Sequence, residues 1–71
     1  MRQYNMEQKV AEKIVIDKFN KEETKTALTF KELMIALGEK PKDAKKYLNK
    51  MVADGLLKWH HADTVYYERI A

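Results

Sequence analysis

Between Thr29 and Gly55 the chain carries the start and stop signals of two helices in immediate succession, and this punctuation restricts everything around it. Thr29-Phe30-Lys31-Glu32 matches the capping box, in which a Thr side chain and a Glu three residues later satisfy each other's backbone amides. Gly38 stands where a helix end needs a residue tolerant of positive φ, and Pro41 stands where the next helix needs its first turn. Only Gly38-Glu39-Lys40 is left to connect them, a tight turn between two helices. The spacing predicts a second helix at about 30–37, with Phe30, Leu33, Met34 and Leu37 inward. It predicts a third at about 41–54, with Ala44, Tyr47, Leu48, Met51 and Val52 as its apolar stripe, ended by Gly55. Two amphipathic helices joined so closely leave apolar faces that other elements must cover.

Upstream, Met6, Val10, Ala11, Ile14, Val15 and Phe19 recur at helical spacing, which predicts a first helix at about 6–20. Asn5 is its expected N-cap, with Gln8 three residues on. Lys21-Glu22-Glu23-Thr24-Lys25 reads as a solvated loop and Thr26-Ala27-Leu28 as a very short strand. Downstream of Gly55 the period changes. Leu56-Leu57-Lys58-Trp59 and Thr64 to Ile70 are two aromatic and aliphatic runs around a turn at His60-His61-Ala62-Asp63, which predicts a β-hairpin at about 56–70. The expected class is α+β, one domain over residues 1–71, because a chain of 71 residues cannot support a second core.

Composition removes several kinds of function. There is no Cys and no Ser, so the common nucleophiles are missing, and no Gly-rich phosphate loop or paired-carboxylate motif occurs. The expectation is a protein that is not an enzyme and uses no cofactor. His60 and His61 are adjacent on an extended segment, so their rings should point to opposite faces, which argues against a metal site. No apolar run is long enough to span a membrane, and the expected location is cytoplasmic. The net charge of +3 permits an anionic partner. Residues 38–55 hold five basic and three acidic side chains, against seven and six in residues 1–37 and two and two in residues 56–71, so most of the excess sits in the middle.

The order helix, short strand, helix, turn, helix, hairpin, with Asp54-Gly55-Leu56-Leu57 after the last helix and Val65-Tyr66-Tyr67 closing the hairpin, resembles the winged helix-turn-helix superfamily over nearly the whole chain. That resemblance implies a transcriptional regulator that sets its third helix in the major groove of double-stranded DNA with the hairpin, the wing, near the backbone. On a helical wheel Lys42, Lys46, Asn49, Lys50 and Ala53 face away from the core and Lys45 lies at the edge. Lysines would neutralise phosphates, and Asn49 could read an adenine edge. Lys58 and Tyr66 are the expected wing contacts, with Arg69 as the wing's other cation. Trp59 is expected in the core, and alternation puts one of Tyr66 and Tyr67 outside. Either a monomer or a homodimer is compatible with the sequence.

A second resemblance points elsewhere. Through Lys45-Lys46, Leu48, Val52, Asp54, Leu57 and an aromatic hairpin with a polar turn, the latter half of the chain is similar to the dissimilatory sulfite reductase D family. It implies a winged helix that binds a protein and acts as an accessory or regulatory subunit. Winged domains that bind left-handed DNA use a proline-flanked tryptophan in the wing, and Trp59 has no such proline.

Overall fold

The computed structural model describes residues 6–22 and 26–70. Its elements in chain order are α1 (Gln8–Lys21), β1 (Ala27–Thr29), α2 (Phe30–Leu37), α3 (Pro41–Ala53), β2 (Leu57–His61) and β3 (Val65–Arg69). This is an α+β arrangement of three helices and one antiparallel sheet, compatible with a winged-helix layout. The strands run in the order β1-β3-β2, with Leu28 opposite Tyr67 and Tyr67 opposite Trp59.

The predicted punctuation is built as read. Glu32 N donates to Thr29 Oγ1 at 3.1 Å and Thr29 N donates to Glu32 Oε1 at 2.9 Å, closing the capping box. Thr29 is thus both the last residue of β1 and the cap of α2, so the sheet edge and the helix start are fixed by one side chain. Gly38 takes φ 69° and its amide donates to Met34 O and Ile35 O at 3.0 and 3.1 Å, ending α2. Pro41 occupies the first turn of α3, where its missing N–H costs nothing. Gly55 takes φ 81° just beyond α3.

The element bounds differ from expectation in three places. α1 starts at Gln8, two residues later than the apolar period indicates, with Glu7 as an N-cap that makes no side-chain bond. Asn5, the expected cap, lies outside the described residues. Gln8 serves instead as a cross-link, its Nε2 donating to Tyr47 O at 3.2 Å. The hairpin turn falls at Ala62 to Thr64, two residues beyond the expected one, because His60 and His61 both pair in β2, with Tyr66 and Val65. β1 ends at Thr29 and begins at Ala27.

The core takes Ala11, Val15 and Phe19 from α1, Leu33 and Leu37 from α2, Ala44, Tyr47, Leu48 and Met51 from α3, and Leu28, Leu57 and Tyr67 from the sheet. Every helix and strand contributes, so no element buries its apolar face without the others. Tyr47 is the one member of α3 that also anchors polar groups, its hydroxyl donating to Met6 O at 2.7 Å. Burial, then the Glu39 and Asp43 carboxylates, push its phenol above the ordinary value of 10.0. The hydroxyl therefore keeps its proton and its bond through the neutral range.

Candidate functional site

A helix that buries Ala44, Tyr47, Leu48 and Met51 turns its opposite side outward, and on α3 that side carries four lysines. Lys42, Lys45, Lys46, Asn49, Lys50 and Ala53 are all exposed. They do not form one uniform face. Lys42, Lys45, Lys46 and Asn49 line a single shallow depression together with Asp43. Among the described residues the ammonium groups of Lys42, Lys45 and Lys46 have no ion-pair partner. Lys50, one turn beyond Lys46, reaches Asp54 at 3.2 Å, an exposed pair that partly offsets its charge.

The hairpin divides its side chains by the strand period of two. Leu57, Trp59 and His61 share one face with Val65, Tyr67 and Leu28. Lys58, His60, Tyr66 and Glu68 share the other. The two histidines thus diverge: His61 stacks on Trp59 with ring centroids 5.9 Å apart, and His60 stacks on Tyr66 at 4.7 Å while hydrogen-bonding Glu68 at 3.0 Å. Lys58 and Tyr66 therefore stand on the sheet face opposite Trp59, with Glu68 paired across from Lys58. Arg69 is turned to α1, where its guanidinium donates to Asn20 Oδ1. Of the seven sequence-predicted contacts, four come together on α3, and Lys50, Lys58 and Tyr66 do not join them.

Trp59 is where expectation fails. It is on the core-facing side of the sheet, yet it is 51% exposed, whereas Leu57 on the same face is 1% exposed. One pleat along a strand is about 6.7 Å, and that step carries Trp59 past the cover α3 gives to Leu57. The indole overhangs a crevice lined by Phe30, Lys45, Val65 and Tyr67, and it also flanks an adjoining groove with Lys45, Asn49, Val52 and Ala53. The crevice holds about 150 Å³, below the roughly 300–1,000 Å³ of ordinary small-molecule pockets and close to what a benzene-sized group occupies. Tyr67, 1% exposed, forms part of its wall, and burial raises its phenol above the ordinary 10.0. Its hydroxyl has no hydrogen-bond partner among the described residues.

Lys45 belongs to the depression, the crevice and the groove alike. Sequence reasoning places it only at the edge of the basic face, and it misses Phe30, Val52, Val65 and Tyr67 as site residues. The available signal is strand parity, which puts Trp59 on the same sheet face as Leu57 and Tyr67.

With the geometry in place, comparison with known families is informative. A family model described as Dissimilatory sulfite reductase D (DsrD) matches residues 11–68. The chain belongs to the DsrD family. The matched span runs from the core of α1 through the hairpin and includes all of the α3 and Trp59 surface just described. The resemblance carried by Lys45-Lys46, Leu48, Val52, Asp54 and Leu57 is thereby supported. No curated protein and no solved structure matches the chain. Among the described residues no helix is long and apolar enough to cross a membrane.

Proposed function

We propose that this DsrD-family protein works as an accessory or regulatory subunit that binds a protein partner, a dissimilatory sulfite reductase, through α3 and the adjoining hairpin face. The family match over residues 11–68 carries the reading. The surface chemistry supports it. Interface centres favour aromatic side chains set in pockets, with charge at the rim, and here a half-exposed Trp beside an apolar crevice is bordered by lysines. A surface meant only for phosphates gains nothing from leaving an indole out. Such a subunit would change the partner's turnover by favouring one of its conformations, without supplying chemistry of its own.

The test is direct. Purified protein and purified dissimilatory sulfite reductase from the same source, mixed at about 10 μM, an affinity regime easily reached by interfaces of standard size, should co-sediment with fixed stoichiometry and alter the rate of sulfite reduction. Independent sedimentation together with an unchanged rate would contradict the reading.

The exposed lysines of α3 favour a second reading, duplex DNA. It predicts an association constant falling with salt by about 0.9 logarithmic unit per phosphate contact, hence a slope near three units for Lys42, Lys45 and Lys46. Asp43 within that face and the Lys50–Asp54 pair weaken this reading. Fluorescence anisotropy on a labelled duplex is expected to show at most weak, sequence-independent binding at about 50 mM salt. Tight, sequence-dependent binding would restore DNA as the partner.

A further inference from the structure

We infer that the crevice under Trp59 receives one apolar side chain of an acidic peptide segment, whose carboxylates lie along Lys42, Lys45 and Lys46. The inference rests on the protein-binding reading and specifies the chemistry of what is bound.

Three observations converge on one place. The crevice is apolar on most sides, walled by Phe30, Val65, Tyr67 and the indole, and its volume of about 150 Å³ suits a phenyl or isobutyl group and little more. It shares Lys45 and Trp59 with the groove beside Asn49 and Val52, so a chain could continue past the anchored side chain. Lys45 stands at the rim of both, and with Lys42 and Lys46 it lines the next depression along α3. Three ammonium groups without ion-pair partners among the described residues attract carboxylates and repel a basic segment.

The arrangement fits a peptide better than a nucleic acid. A duplex presents phosphates along a broad convex surface and has no flexible apolar side chain to place in a narrow niche. Tyr67 lines the niche, and its hydroxyl, which reaches solvent and has no hydrogen-bond partner among the described residues, is available to a backbone carbonyl beside the anchor.

The only tryptophan in the chain is Trp59, so its emission reads the site alone. The probe is a synthetic peptide of glutamates and aspartates around one central phenylalanine, titrated into the full chain. Three controls accompany it: the same peptide with alanine at the centre, the phenylalanine peptide with lysines in place of its acids, and a DNA duplex. The expected result is a saturable blue shift of Trp59 emission with the acidic phenylalanine peptide. The affinity should fall at least about tenfold with the alanine peptide and about tenfold with Lys45→Glu, as for a central contact, and the lysine peptide should not bind. Lys45 is exposed and outside the buried core, so Lys45→Glu is expected to keep the fold, which its far-UV circular dichroism checks. Indifference to the central residue, indifference to Lys45→Glu, or a shift produced by the duplex in place of the peptide would each overturn the inference.

The same variant separates this inference from the proposed function. If Lys45→Glu still binds the purified sulfite reductase as the unchanged protein does, the reading stands and the acidic-peptide inference falls. If the peptide binds but the reductase does not, the inference stands and the partner is a different protein.

Discussion

Gly38 takes φ 69°, and nothing lies within 4 Å of where a Cβ would stand. A side chain there would meet open space, so the penalty is backbone strain alone. Gly38→Ala should lower unfolding free energy by about 1–2 kcal/mol, and Gly38→Asn by less, because Asn tolerates the left-handed region; urea denaturation of the two variants gives the order. Tyr47 offers a different single-residue test. Its pKa is raised in the fold by burial and by Glu39 and Asp43, so its neutral form is the folded form. The stability this contributes is fully present below pH 10, the unfolded value, and is lost as pH rises past 10 through the folded value. Tyr67, raised by burial, adds to the same alkaline loss. Tyr47→Phe should cost about 0.5–1.5 kcal/mol at pH 7 from the lost bond to Met6, and the fall in stability above pH 10 should become shallower. An alkaline slope equal to that of the unchanged protein would show that Tyr47 is not its source.

At the scale of elements, the helix ends were legible because each is written by a residue with a specific backbone job: Thr29 and Glu32 as a reciprocal cap, Gly38 at positive φ, Pro41 in a first turn. The start of α1 was less legible, since an apolar period tells which side is buried but not where hydrogen bonding begins, and Met6 packs on the core from outside the helix. The hairpin turn was misplaced for a related reason. Two histidines read as polar turn residues, yet each has an aromatic ring to stack on within the sheet. The exposure of Trp59 was not legible at all. Strand alternation assigns a face, whereas exposure depends on how far along the strand α3 extends, and that is fixed by tertiary packing. The cap of α2 connects this scale to the site, because Phe30 follows Thr29 directly and forms part of the crevice. Thr29→Ala should cost about 1 kcal/mol through the lost cap and should weaken peptide binding at the crevice; Thr29→Ser should restore both. Stability lost with peptide affinity unchanged would show that the cap does not position Phe30.

For the molecule as a whole, one shared core holds α3 against the hairpin, and the site exists only at their junction. The net charge of +3 is modest, and its usable part is local: three lysines on α3 beside the crevice that have no ion-pair partner among the described residues, with Lys50 tied to Asp54 and Arg69 turned toward Asn20. That concentration, set next to an exposed indole, is the feature on which the proposed protein-docking role rests. The DsrD-family match supplies the partner's identity as a hypothesis, and the surface supplies the place. Amide hydrogen exchange, followed with and without purified dissimilatory sulfite reductase, tests both at once. The account predicts slowed exchange along α3 from Lys45 onward and in the hairpin around Trp59 and Tyr67, with α1 unchanged. Protection confined to α1 and α2, or no protection anywhere, would contradict it.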